Sequence, residues 1–224
     1  MNLLLLSVAP AMIVVLHIYF KDKFEKEPIP FLAKNFLLGA FFSVFITVIF
    51  GIILNVIIPL EGLPKILQEF IRAFIIVALV EEFSKFIVVK YYAQKNIEFN
   101  EPFDGIVYAV MVSMGFAALE NILYVFQYGV STGILRAFTA VPAHATFGIL
   151  MGFYMGKAKF SKNKNYNNFF GLFIAVLFHG AYDFFLFINY IPGIVIGAFI
   201  SLIIGIVLSK KAIKNHQQNS FFKV

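Results

Sequence analysis

The chain has no cysteine and no tryptophan among its 224 residues, and only 13% of them are charged. Without cysteine there can be no disulfide, no thiolate metal site and no thiol nucleophile. Charge is so scarce, and apolar content so high at 61%, that the composition falls outside that of soluble domains, where apolar usage is about 45–50%. A mean hydropathy of +0.88 points the same way, to an integral membrane protein. Loops are short and no segment is polar enough for a soluble domain. Residues 1–224 therefore read as a single membrane-embedded domain, and any chemistry or transport must occur among its helices.

What the chain does contain is a series of long apolar runs, near 3–20, 35–58, 66–92, 103–128, 133–155, 169–190 and 192–210. Each is close to the roughly 20 residues a helix needs to cross a bilayer. They predict an all-α, polytopic bundle of about seven transmembrane helices. The first run has no basic leader, and bulky residues follow it where a signal peptide would have small ones, so it is expected to be retained. No internal repeat of the transporter kind is visible.

The net charge of +6 reports topology rather than a nucleic-acid partner. Lys21, Lys23, Lys26, Lys34, Lys90, Lys95, Lys157, Lys159, Lys162, Lys164 and the lysines of the tail fall on one side of the predicted bundle, and only Lys65, Arg72 and Arg136 on the other. By the positive-inside rule the N-terminus lies outside and the C-terminus in the cytoplasm. The 30 phenylalanines, with abundant Ile, Lys and Asn, suit a bacterial protein, here a multi-pass component of the plasma membrane in contact with lipid. Oligomeric state is not legible.

Against this background the ionisable residues inside the runs stand out, since a charged side chain at the bilayer centre costs roughly 2.5–3.5 kcal/mol on insertion scales. Glu81, Glu82 and Lys85 share the third run. On a helix Lys85 can reach either carboxylate, at i,i+4 or i,i+3, but hardly neutralise both. The carboxylate left over is suited to general acid–base work. His179 and Asp183 share one helical face, where a carboxylate one turn away can fix an imidazole's tautomer. Glu120, followed by Asn121, lies in the fourth run. His144, preceded by Pro142, lies on the small-residue face Ala140, Gly148, Gly152, Gly156 of the fifth, turned toward a neighbouring helix. A similar stripe, Gly193, Gly197, Ser201, Gly205 and Ser209, marks the seventh run and is expected to serve packing alone. His17 and His216 are expected to be bland. Depth arithmetic puts Glu81, His144 and His179 near the middle of their spans, with Glu120 and Asp183 nearer the outer surface.

Taken together, Glu81-Glu82-Phe83-Ser84-Lys85, Phe116 with Glu120, His144, and His179 with Asp183 resemble the PrsW family of intramembrane proteases, which is related to the CAAX prenyl proteases and the Abi group. Glu101-Pro102-Phe103-Asp104-Gly105, the Gly115 to Tyr124 segment and Met151 to Ala158 extend the resemblance over nearly the whole chain. Glu120 and Asp183 stand where CAAX proteases typically have His and Asn, which places prenylated substrates in doubt. The resemblance implies an intramembrane endopeptidase that makes the first (site-1) cut in a single-pass anti-sigma factor, starting release of a sigma factor under envelope stress.

Glu81, Glu82, Lys85, His179 and Asp183 are the expected catalytic residues, with Glu81 or Glu82 as general base. Two versions stay open. In one, His144, His179 and Glu120 hold zinc, as in catalytic sites with two histidines and one glutamate. In the other, the histidines and Asp183 orient water and stabilise the oxyanion without an ion. No HExxH motif occurs, so spacing alone establishes no metal. The rival function is an ion- or proton-coupled transporter using the same carboxylates and histidines as a relay.

Overall fold

The computed structural model describes residues 2–223, which among them form helices and connecting turns but no strand. In chain order the helices are α1 (Leu3–Lys21), α2 (Ile29–Ile57), α3 (65–93), α4 (Pro102–Tyr128), α5 (Val130–Phe138), α6 (Ala140–Phe160), α7 (Lys164–Phe187) and α8 (Ile196–Gln218). Six stretches are long and apolar enough to cross a membrane: α1, α2, α4, the continuous Val130–Phe160 stretch, α7 and α8. The seventh long helix, α3, has the length but carries Arg72, Glu81, Glu82, Lys85 and Lys90. The result is an all-α polytopic membrane bundle.

The centre of the bundle is α4, buried almost all round from Phe103 to Ala118. A helix with no polar face belongs inside, and α4 is packed by α1, α2, α5, α6 and the later part of α3, residues 80–93. Outward-facing Leu, Ile and Phe of α1, α2 and α8, such as Leu5, Ile13, Phe45, Ile52, Phe199 and Ile203, are exposed and form the lipid-facing surface. The second half of α2, Val44–Ile57, buries none of its residues.

Contact between α4 and α6 depends on glycine. A Cβ on Gly152 would collide with the Gly105 carbonyl, one on Gly105 with the Gly156 backbone, and one on Gly156 with the Pro102 carbonyl. Small residues at four-residue steps let two backbones touch. Gly152→Val should therefore push α4 and α6 apart and destabilise the bundle by about 1–3 kcal/mol. Gly51→Val is the control, because a Cβ there meets nothing within 4 Å. Denaturant midpoints of the two variants in detergent micelles check the contrast: a lowered midpoint for Gly152→Val and little change for Gly51→Val.

Two expectations need correction. The fifth run is not one helix over 133–155. It breaks at Thr139 (φ −123°, ψ −74°) into α5 and α6, so His144 lies in the second turn of α6 while staying near the middle of the Val130–Phe160 stretch. Pro142 falls in the first turn of α6, where a missing N–H costs nothing. The seventh stripe is also shorter than its spacing suggests. Gly193 lies in the turn before α8 with φ +79°, a conformation open to glycine. Gly197 and Gly205 do pack, against Phe185 and against Thr146 with Phe178.

Candidate active site

The site is built around α3. Residues 72–79, just before the paired glutamates, form a π-helical stretch; such widened turns occur frequently at functional sites. Gly180 on α7 lets that stretch come close, since a Cβ there would strike the Phe74 ring. One turn further on, α3 presents Glu81 (8% exposed), Glu82 (0%) and Lys85 (1%) to the bundle interior. The register of α3 against α2 is pinned by Ser84. Its hydroxyl donates to the Glu81 carbonyl (2.7 Å) and meets Thr47 Oγ1 at 3.1 Å, while Ser43 Oγ donates to the Ser84 carbonyl (3.3 Å).

The Lys85 ammonium is the hub. It lies 2.7 Å from Glu82 Oε1, 3.4 Å from Glu81 Oε2 and 3.3 Å from His144 Nδ1. Phe116 of α4 covers it, with the ring centroid 4.1 Å away, a cation–π contact that gains strength when desolvated. With the ammonium donating to Nδ1, His144 is left to donate from Nε2, and Glu120 Oε2 accepts at 3.0 Å. The His144 carbonyl in turn accepts from Ser113 Oγ at 2.7 Å, which ties α6 to α4 at this level.

His179 repeats the pattern from the other side. Its Nδ1 is 2.9 Å from Glu82 Oε1 and its Nε2 is 3.3 Å from Asp183 Oδ2. The ring stacks on Phe147 at 4.8 Å and meets His144 edge-on at 5.4 Å. Both imidazoles thus turn Nδ1 toward α3, to the Lys85 ammonium for His144 and to the Glu82 carboxylate for His179, and Nε2 toward a carboxylate of their own. That is the arrangement in which outer carboxylates fix the tautomer of metal-binding or acid–base histidines.

All seven residues singled out in the sequence meet in this one network. Glu81, Glu82, His144 and His179 each offer a ligand atom, all within 4.8 Å of one another. Glu120 and Asp183 sit behind the rings instead. Residues that sequence reasoning did not select complete the site. Arg136 of α5 donates to Glu120 Oε2 (2.6 Å) and Asn121 Oδ1 (2.7 Å), and its guanidinium stacks on Tyr124 at 4.1 Å. Its signal was position alone, a basic residue inside an otherwise apolar stretch. Phe147, one turn after His144, could have been found from that spacing. His216, expected to be bland, donates from or accepts nothing at this site and instead lies 2.9 Å from the Phe153 carbonyl.

A cavity of about 290 Å³ adjoins the rings, lined by Glu120, Arg136, His144, His179, Tyr182 and Asp183 among others. It lies toward the C-terminal ends of α4 and α7, away from the lysine-bearing segments 21–34, 90–95 and 157–164. Both imidazoles line it, together with the Glu120 and Asp183 carboxylates.

The donor set fits a divalent metal on three counts. Two imidazole nitrogens with carboxylate oxygens are common zinc ligands in hydrolytic sites. Glu82 Oε2 is buried without a hydrogen-bond partner. With a metal on both rings, which leaves each imidazole neutral, ionised Glu81, Glu82, Glu120 and Asp183 would exceed the cationic Lys85 and Arg136 by two charges, which a divalent ion would balance. The residues able to coordinate are His144, His179, Glu81 and Glu82.

Comparison with known proteins agrees with this geometry. The model of the PrsW family intramembrane metalloproteases matches residues 27–209. Protease PrsW of Geobacillus kaustophilus is 40% identical over 184 residues, 81% of this chain and 78% of that protein. Protease PrsW of Clostridioides difficile is 34% identical, with 99% of this chain and 95% of that protein covered, and Protease PrsW of Bacillus subtilis is 34% identical with 80% of each covered. No solved structure matches the chain. A multi-pass bundle with a buried His/Glu cluster, matched over most of its length by these proteins, is a membrane peptidase rather than a transporter, and the chain belongs to the PrsW family of intramembrane metalloproteases.

Proposed function

We propose that the protein cuts a single-pass membrane protein near its extracytoplasmic end, as the first step in releasing a sigma factor from a membrane-bound anti-sigma factor under envelope stress. One observation carries the cut itself: two imidazoles and two carboxylates from three helices converge within 4.8 Å beside a cavity inside the bundle. The side of the cut is supported by the cavity's distance from the lysine-bearing segments, given the positive-inside rule. The choice of an anti-sigma factor rests on the family resemblance.

In this reading Glu81 is the general base. It is the less tightly held of the pair, 3.4 Å from Lys85 where Glu82 is 2.7 Å away. It takes a proton from the attacking water and returns it to the leaving amine. Glu82, His144 and His179 would hold the metal, with Glu120 and Asp183 orienting the rings. When bound, a zinc ion supplies Lewis acidity, activating water at neutral pH and polarising the scissile carbonyl. Lys85 holds the α3 carboxylates in place, and Arg136 keeps Glu120 aimed at His144.

Co-expression with single-pass anti-sigma factors tests the proposal. The expected result is a truncated substrate with the wild-type chain and intact substrate with His179→Ala at equal membrane levels. Intact substrate with the wild type across every such factor of the same genome would refute the substrate assignment. Cleavage by His179→Ala would refute the site.

A further inference from the structure

A second polar cluster lies at the other end of α4 and has no part in the chemistry above. Glu25 and Glu27, in the α1–α2 connection, and Asp104, in the first turn of α4, each place a carboxylate oxygen within 4.8 Å of the others. Asp104 lies sixteen residues before Glu120, about 24 Å along the helix, so this cluster and the active site are separate.

Acidic clusters usually sit in water. This one does not: Glu27 is 2% exposed and Asp104 0%. Asp104 Oδ2 accepts from the Asn100 and Glu101 backbone N–H groups at 2.7 Å each, and Glu25 Oε1 accepts from Asn100 Nδ2 at 3.1 Å. The remaining oxygens have no hydrogen-bond partner among the described residues: both of Glu27, Oε2 of Glu25 and Oδ1 of Asp104, together with Asn100 Oδ1. Buried polar atoms are nearly always satisfied; a proton shared between the facing Glu27 and Asp104 carboxyls satisfies one oxygen of each, and the oxygens left over call for a further partner.

Cationic side chains do not supply it. Lys26, the nearest in sequence, donates to the backbone carbonyls of Tyr19 and Asp22 instead, and no ion pair joins a Lys or Arg to Glu25, Glu27 or Asp104 among the described residues.

We propose that Glu25, Glu27 and Asp104 form a binding site for a hard divalent cation, Mg²⁺ or Ca²⁺, which clips the α1–α2 connection to the start of the central helix. The donors are all oxygen, with no imidazole or sulfur, which selects these ions over zinc. Glu25, Glu27 and Asp104 each offer one oxygen, and Asn100, whose amide nitrogen donates to Glu25, has its own amide oxygen buried without a partner.

The test uses the full-length chain in detergent, freed of metal with EDTA and dialysed against Mg²⁺ or Ca²⁺. Wild type should take up one equivalent more of one of these ions than Glu27→Gln or Asp104→Asn. At about a hundredfold excess over Kd its Tm should rise by roughly 5–10 °C, and that rise should be absent in both variants. In EDTA the order should reverse, with Glu27→Gln at least as stable as wild type because a repelling carboxylate has gone. Equal cation uptake by wild type and both variants would overturn the proposal. So would a wild-type Tm indifferent to both ions with variants that are less stable in EDTA, the result expected of a carboxylate pair that shares a proton.

Discussion

Glu81→Gln should abolish cleavage, lowering the rate by about 10³-fold, within the range general base catalysis commonly supplies, while leaving the protein folded and its metal in place. The argument starts from the asymmetry of the pair. Glu82 is fully buried and held from two sides, by Lys85 at 2.7 Å and His179 at 2.9 Å. Glu81 has only the longer Lys85 contact, at 3.4 Å. A carboxylate tied on both sides is a poor proton acceptor, whereas a loosely held one beside it has lone pairs free for water. Glutamine has the same shape and keeps an oxygen for Lys85, but it cannot accept the proton. His144→Ala should behave differently, losing activity and bound metal together. Zinc content by atomic absorption, measured alongside cleavage on each purified variant, checks the division of labour. A Glu81→Gln enzyme that cleaves normally would remove Glu81 from the base role. One that is inactive and metal-free would make it a ligand.

How much of this could be read in the sequence depends on which dimension is asked about. Position along a helix was legible: apolar runs gave all seven long helical stretches, and i,i+4 spacing put Asp183 beneath His179, where the structure has Nε2 3.3 Å from its carboxylate. The Gly148, Gly152 and Gly156 stripe announced a close helix contact, and α4 fills it. Relations between helices were not legible. Spacing says that Glu120 faces inward but not which side of an imidazole it meets, and the structure has it behind His144 beside Arg136. The break at Thr139 leaves no mark in hydropathy, because α5 and α6 form one apolar stretch. The π-helical turns before Glu81 are a slip in hydrogen-bond register that changes no residue's character. Arg136 was assigned to the outer boundary by charge counting, a method that treats every basic residue as a topology marker.

Lys85→Met should produce the largest loss of stability of any single change at the site. The ammonium is 1% exposed and is the one lysine or arginine within salt-bridge distance of Glu81 and Glu82 among the described residues, with His179 the further partner of Glu82. Removing one partner of a buried pair typically costs about 3–5 kcal/mol, because the remaining charge is left uncompensated, and here two carboxylates are left. The lost contact with the Phe116 face adds to the cost. Against a usual total stability of about 5–15 kcal/mol, such a loss should reduce the folded fraction recovered from membranes several-fold. The cause can be separated from a simple packing defect. If uncompensated charge is responsible, Glu82→Gln in the same chain should restore much of the accumulation of Lys85→Met, since one of the stranded carboxylates becomes neutral, while the double variant remains inactive. Double-mutant cycles report such coupling directly, and recovery measured by size-exclusion of detergent extracts would show it. An additive loss in the double variant would mean that Lys85 stabilises the bundle through its packing on Phe116, and that the charges of Glu81 and Glu82 are balanced by another group.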